Sequence, residues 1–218
     1  MASEVKTNKI SPATSTTVTL GDASDLFQLP ASAEIDIASG ATLDVNGTID
    51  LTGATTTGFP AGGLTTASQW RLTTGFAGDA SPIASNLEEV DAPVGFGVLG
   101  SSMTESSGIF TFPSTGYWLI TFHASFACDA DNQWILAWIY TTHDDGTWAK
   151  AAEGNTQSYG GSSGTNYPST DASYIFDVTS TSTHKCAFYI DQQAAADDTE
   201  GNTGFNKTYM TFLRLADT

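Results

Sequence analysis

The residues of this chain best suited to holding a ligand are oxygen-rich loops. Asp129-Ala130-Asp131-Asn132, Asp144-Asp145-Gly146 and Asp197-Asp198-Thr199-Glu200-Gly201-Asn202 carry the hard carboxylate and amide oxygens that calcium takes. None follows the twelve-residue calcium-loop spacing. Asp197, Asp198 and Glu200 are therefore metal candidates set against the plain alternative of solvated acidic loops. A second set is aromatic: Tyr159, then a Gly/Ser-rich stretch, then Asn166 and Tyr167. Tyrosine rings stack on sugars while amides donate and accept hydrogen bonds. Tyr159, Asn166 and Tyr167 are accordingly candidate glycan or host-surface contacts, with loop 197–202 beside them.

Other chemistry is spelled but not supported. Gly95-Phe96-Gly97-Val98-Leu99-Gly100 has the dinucleotide glycine spacing, yet that mechanism needs a helix to follow, and 101–108 is not helical text. His123, His143 and His184 lack metal-ligand spacing to another His or Cys. His123 falls on the polar or interface face of a strand, where a pH switch between subunits is conceivable. No nucleophile elbow or His-Glu-x-x-His is present. No carboxylate pair stands apart from the solvated ones, so an enzyme is not expected. A glycan depolymerase, its two acids assembled from distant positions, is the enzymatic alternative. No cofactor is expected, calcium being the one candidate ion.

Composition narrows the partners. Of the 218 residues only 14% are charged, against about 25% in typical globular proteins. Thr, Ser and Gly carry the polarity, and they favour strands and turns over helices. The net charge of −17 repels phosphate backbones, which excludes nucleic acid. With no basic amphipathic segment and no apolar run of about 18 residues, no membrane contact is expected. The first nine residues lack the apolar core of a signal peptide, so synthesis in a cytoplasm without an export signal is expected. The 2 cysteines make no disulfide framework. Cys128 and Cys186 fall on inward strand faces, as buried free thiols do; pairing requires their Cα atoms within about 7 Å.

The elements that must position these residues divide near residue 60. Segment 1–60 opens with Lys6, Lys9 and Ile10, either a solvated terminus or an anchor that docks on a partner. Glu34-Ile35-Asp36-Ile37, Thr42-Leu43-Asp44-Val45 and Thr48-Ile49-Asp50-Leu51 are near-repeats separated by turn residues. Each is a short strand too small to bury its own apolar side chains. They read as a β-stalk needing partners, or as a meander packed on the next domain. Residues 61–68 are linker text, and 69–218 form a denser domain. Its strand candidates are 70–72, 95–99, 108–112, 117–128, 133–142, 174–178, 185–191 and 209–215, without a helical period. An antiparallel sandwich or jelly roll follows.

Two strands define the facing. In 117–128, Trp118, Ile120, Phe122, Ala124, Phe126 and Cys128 share the core face. In 133–142 both faces are apolar: Ile135, Ala137 and Ile139 on one, Trp134, Leu136, Trp138 and Tyr140 on the other. The surplus must meet a loop, a neighbouring domain or another subunit. A subunit interface made by Trp134, Leu136, Trp138 and Tyr140 is the preferred reading.

The run from Gly108 through Phe110, Gly116, Trp118, Ile120 and Phe122 to Ser125 resembles the signature of complement C1q-like and tumour-necrosis-factor-like jelly rolls. Phe110, Gly116 and Phe122 match its spacing, Trp118 and Ile120 replace its Tyr and Phe, and upstream positions depart from it at Ala92, Val98 and Met103. Thr208-Tyr209-Met210-Thr211-Phe212-Leu213 is similar to the family's closing strand. This resemblance implies a homotrimer. The N-terminal 55 residues are similar in style to fibre and appendage proteins of tailed bacteriophages, marine ones especially. In that class an N-terminal segment attaches to the virion and a trimeric β-domain projects. The expectation is thus an all-β, non-enzymatic virion-surface protein, a short fibre or capsid decoration. Its partners would be itself, phage capsid or tail proteins and host polysaccharide. A soluble C1q-like lectin is the alternative.

Overall fold

The computed structural model describes residues 64–218 apart from 130 and 160–163, together with Ile37, Ser39, Ala41, Thr42 and Asn46. The chain divides between Thr57 and Gly58, and the second unit is the one described below. The expected anchor residues Lys6, Lys9 and Ile10 lie outside the described residues, as do the stalk rungs apart from those five positions.

Twelve strands follow one another: β1 (Ala67–Leu72), β2 (Phe76–Ala77), β3 (Leu87–Glu89), β4 (Thr104–Ser106), β5 (Ile109–Thr111), β6 (Gly116–Ala127), β7 (Asn132–Thr142), β8 (Ala149–Ser158), β9 (Ser169–Val178), β10 (Lys185–Gln192), β11 (Asp198–Thr199) and β12 (Tyr209–Ala216). They make two antiparallel sheets. The first runs β9-β6-β12-β1-β3, with β11 and then β2 continuing beside the far end of β6; the second runs β4-β5-β10-β7-β8. The first strand lies beside the last, and the chain crosses repeatedly between the sheets, with β1–β3, β6, β9, β11 and β12 in one and β4, β5, β7, β8 and β10 in the other: a jelly-roll sandwich.

Period-2 alternation explains β6. Trp118, Ile120, Phe122, Ala124 and Phe126 are all fully buried, and the residues between them are not. They meet the aromatic side chains of the opposite sheet. Phe110 on β5 is the hub, with ring centroids 5.4 Å from Trp70, 5.4 Å from Phe188 and 5.3 Å from Phe212. Phe112 adds contacts to Trp118 at 5.3 Å and Phe176 at 5.8 Å. Gly116 has φ 138°, and a Cβ there would stand 2.5 Å from the carbonyl oxygen of Ala216. Glycine is therefore what lets β6 start against the end of β12.

Several expectations change: the short strands β2, β3, β4 and β11 were not expected, and β1 begins at Ala67, inside the segment expected as linker, because β12 offers it partners as far as Leu213. The strand expected at 95–99 does not form, because Gly95 adopts φ 104° and no strand runs alongside; only Leu99 makes an isolated bridge, to Ala67. β8 appears where none was expected, since Ala, Lys, Glu and Asn are poor strand formers and the pairing is supplied by the backbone of β7. The strand expected at 174–178 begins earlier, at Ser169, because β6 offers partners as far as Ser125.

Candidate functional site

The aromatic candidates are brought together. Cys128 at the end of β6 pairs with Asn166 through backbone bonds of 2.8 Å in each direction. That fixes Asn166, whose side-chain Nδ2 donates to the carbonyl of Tyr159 at 2.9 Å. Tyr159 and Tyr167 are therefore brought to the same end of the sandwich by Asn166, 66% and 70% exposed. Thr165 Oγ1 donates to Asp129 Oδ1 at 2.6 Å, so the acidic 129–132 loop borders the same end. Two open tyrosine faces with amide and carboxylate oxygens between them can stack on and hydrogen-bond a sugar.

The metal candidates are not brought together. Asp197 is buried and used internally: its Oδ1 accepts from the Asp129 amide at 3.0 Å, and its Oδ2 accepts from Asn132 Nδ2. Asp198 points outward from β11, and Glu200 is ion-paired with Lys207. Among the described residues no group of three or more His, Cys, Asp or Glu side chains could hold a metal ion.

Sequence inspection missed a chain of three side chains on the outer face of the first sheet. His123 Nδ1 lies 2.7 Å from Asp171 Oδ1, and His123 Nε2 lies 3.3 Å from Ser125 Oγ. The register makes this arrangement: Asp171 is the cross-strand partner of His123, and Ser125 is two residues along the same face. A Ser-His-Asp relay needs oxyanion donors, ordinarily the amides of the nucleophile and its neighbour. Here the Ser125 amide donates to Thr208 Oγ1 at 3.1 Å and the Phe126 amide to the Pro168 carbonyl at 2.9 Å. Both donors are spent, so the trio is a hydrogen-bonded strut.

The Trp134 face is half consumed within the chain. The Tyr140 and Tyr189 rings lie 4.3 Å apart, tilted by 32°, and the Lys150 ammonium sits 4.7 Å over Trp138. Lys150 is held there by Glu153 at 2.6 Å, a contact that raises the lysine pKa and lowers that of the glutamate. Trp134, at 40%, is the most open of the four.

Cys128 and Cys186 are buried free thiols. Burial, and then the Asp197 carboxylate, push the Cys128 thiol up to about 11 from 9.0; burial alone raises Cys186. A thiol that holds its proton longer in the folded than in the unfolded chain contributes stability below pH 9 that is lost as pH rises. Urea midpoints are expected to fall between pH 9 and about 11, more shallowly in Cys128→Ala. Equal slopes in the two proteins would show that the thiol does not contribute.

No protein-family model matches the sequence, and comparison with curated proteins gives no match. Solved structures do match in shape. The chain is similar to Eiger TNF from S. frugiperda, at 14% identity and TM-score 0.53, over 70% of this chain and 93% of that one. It is similar also to murine APRIL, at 11% identity and TM-score 0.50, over 69% of this chain and 98% of that one. At these identities the likeness is one of fold.

Proposed function

From a chain with a tumour-necrosis-factor-like jelly roll, we propose a non-enzymatic, homotrimeric structural protein of a tailed-bacteriophage particle, a short fibre or capsid decoration. In this reading residues 1–30 attach to capsid or tail proteins through the Lys6, Lys9 and Ile10 segment, and 31–60 form the stalk. The jelly roll is displayed on the virion surface for host-surface or glycan contact. The virion assignment draws on the style of the N-terminal segment. The displayed role is carried by one observation, the exposed Tyr159 and Tyr167 held together by the Asn166 side chain on the Tyr159 carbonyl.

Tyr159→Ala/Tyr167→Ala is the test. Both side chains are open, so the fold is expected to melt as wild type. Binding to host cells or their purified polysaccharide is expected to weaken roughly tenfold or more, the scale of losing a hot-spot tyrosine. Unchanged binding removes these loops as the contact. Labelling purified particles with an antibody to the jelly roll then separates capsid from tail.

Two faces compete for the trimer contact. One is Trp134, Leu136, Trp138 and Tyr140 on β7; the other is the outer face of the first sheet.

A further inference from the structure

Between β3 and β4 the chain throws out an arm, residues 93–99, with Val94 fully exposed, Phe96 54% exposed, and Val98 and Leu99 open. Such side chains in a soluble domain are ordinarily scattered; here four lie within six residues, and both ends of the arm are fastened. At its root, the wholly buried Arg71 guanidinium donates through Nη1 to the Ala92 carbonyl at 2.8 Å. Its Nη2 reaches Asp91 Oδ1 at 2.6 Å, and its Nε reaches Glu88 Oε1 at 2.7 Å. At the far end, Leu99 and Ala67 exchange two backbone hydrogen bonds of 2.9 Å. A cleft of about 380 Å³ separates the arm from Gln69 and Asn206. The apolar surface is thus held out in one place, and holding it out leaves it in water unless something covers it.

The arm continues an apolar row across the outer face of the first sheet. Leu99, Ala67, Leu213, Leu119 and Ile175 are successive cross-strand partners. Beside them runs a second row, Gln69, Thr211, Thr121 and Ser173. None of these nine side chains is charged, in a chain of net charge −17. The two ends of the apolar row differ. One carries the projecting arm; the other ends at Ile175, 56% exposed on β9, which pairs with β6 alone among the named strands.

We propose that the 93–99 arm of one copy seats over the Leu119–Ile175 end of the row on the next copy, as a clasp closing a ring of identical subunits. This inference rests on the trimer reading above. Charge selects the occupant along the row itself, where strongly acidic copies meet with less repulsion than over Asp171 and Asp177, which flank it on β9. Geometry selects the mode: unlike ends of one surface make a head-to-tail contact, which closes into a ring when the rotation between copies completes a turn. A bilayer would take the tip of the arm but not the flat row beside it.

Light scattering on the full chain reads the prediction. Wild type is expected at the mass of three chains, and Val94→Asp/Phe96→Asp and Ile175→Asp each at that of one. Trp134→Asp is expected to stay at three. A second measurement does not depend on those variants: Phe96→Cys/Ile175→Cys is expected to give disulfide-linked dimers and trimers on a non-reducing gel. Within one chain Leu99, at the foot of the arm, stands about four strand spacings from Ile175, roughly 19 Å, so the bond is expected between copies. The native thiols are buried and stay silent. The inference is overturned if the arm variants keep the wild-type mass and no cross-link forms, or if Trp134→Asp alone dissociates the ring. It is overturned in favour of lipid if the mass is kept while flotation with phosphatidylcholine vesicles is lost. It is overturned in favour of the chain's own N-terminal segment if the mass is kept while residues 1–57 become open to protease. Wild type at the mass of one chain refutes the trimer reading itself.

Discussion

Phe110→Ala is expected to destabilise the jelly roll by about 3–5 kcal/mol, the scale of removing a fully buried phenylalanine. Phe110 touches the rings of Trp70, Phe188 and Phe212 at once. These come from β1, β10 and β12, so its loss opens a void where the two sheets meet. No neighbour is free to collapse into that void, since Phe188 and Phe212 are themselves fully packed against Phe122 and Phe112. At roughly 2–4 °C per kcal/mol for a domain of this size, the melting midpoint should fall by about 10 °C. Differential scanning calorimetry reads it. Ile175→Ala, on the open edge, is the control and should shift the midpoint of a dissociated chain little. A shift for Phe110→Ala no larger than for Ile175→Ala would mean that the aromatic hub is not where the sandwich is held.

Arg71→Met is expected to cost about 2–4 kcal/mol. It keeps a flexible apolar stem but removes three charge-assisted hydrogen bonds from a site without solvent. Breaking a buried ion pair usually costs about 3–5 kcal/mol, because the surviving charge is stranded. Here Glu88 and Asp91 keep access to water, which lowers the figure. The consequence distinctive to this arginine is local. With Ala92 and Asp91 released, the 93–99 arm loses its root, and cleavage within residues 91–100 by a broad-specificity protease should appear in Arg71→Met but not in wild type. Glu88→Gln, which keeps the Ala92 and Asp91 contacts, should remain resistant. Resistance in Arg71→Met would show that the Leu99–Ala67 pairing holds the arm without help.

These two sites differ in how far they could be read in advance. Phe110 stands in a run whose alternation is visible by eye, and its burial follows from the strand period alone. Arg71 reads as an ordinary polar position in a short strand. Its role comes from Glu88, Asp91 and Ala92, which arrive from the other side of a turn. The same contrast separates β6 from β8. Trp118 to Phe126 specify their own facing, whereas 149–158 are strand only because β7 lies alongside. Phe96 and Val98 alternate as a strand would, but interleaved glycines and the lack of a neighbour leave them as an exposed arm.

An all-β fold, the core face of β6 and the inward thiols were thus legible in the order of the residues alone. All of these rest on residues within a few positions of each other, where backbone period and side-chain type act together. It took the packed sheets to show that Asp197 is spent on Asn132 and Asp129, that His123 lies between Asp171 and Ser125, and that Leu99 and Ile175 end one apolar row. Those are matters of register between strands far apart in the chain, as with Gln69 and Thr211, 142 residues apart. Register is set when the sheets pack, by which pairing buries the most apolar surface with every backbone group bonded.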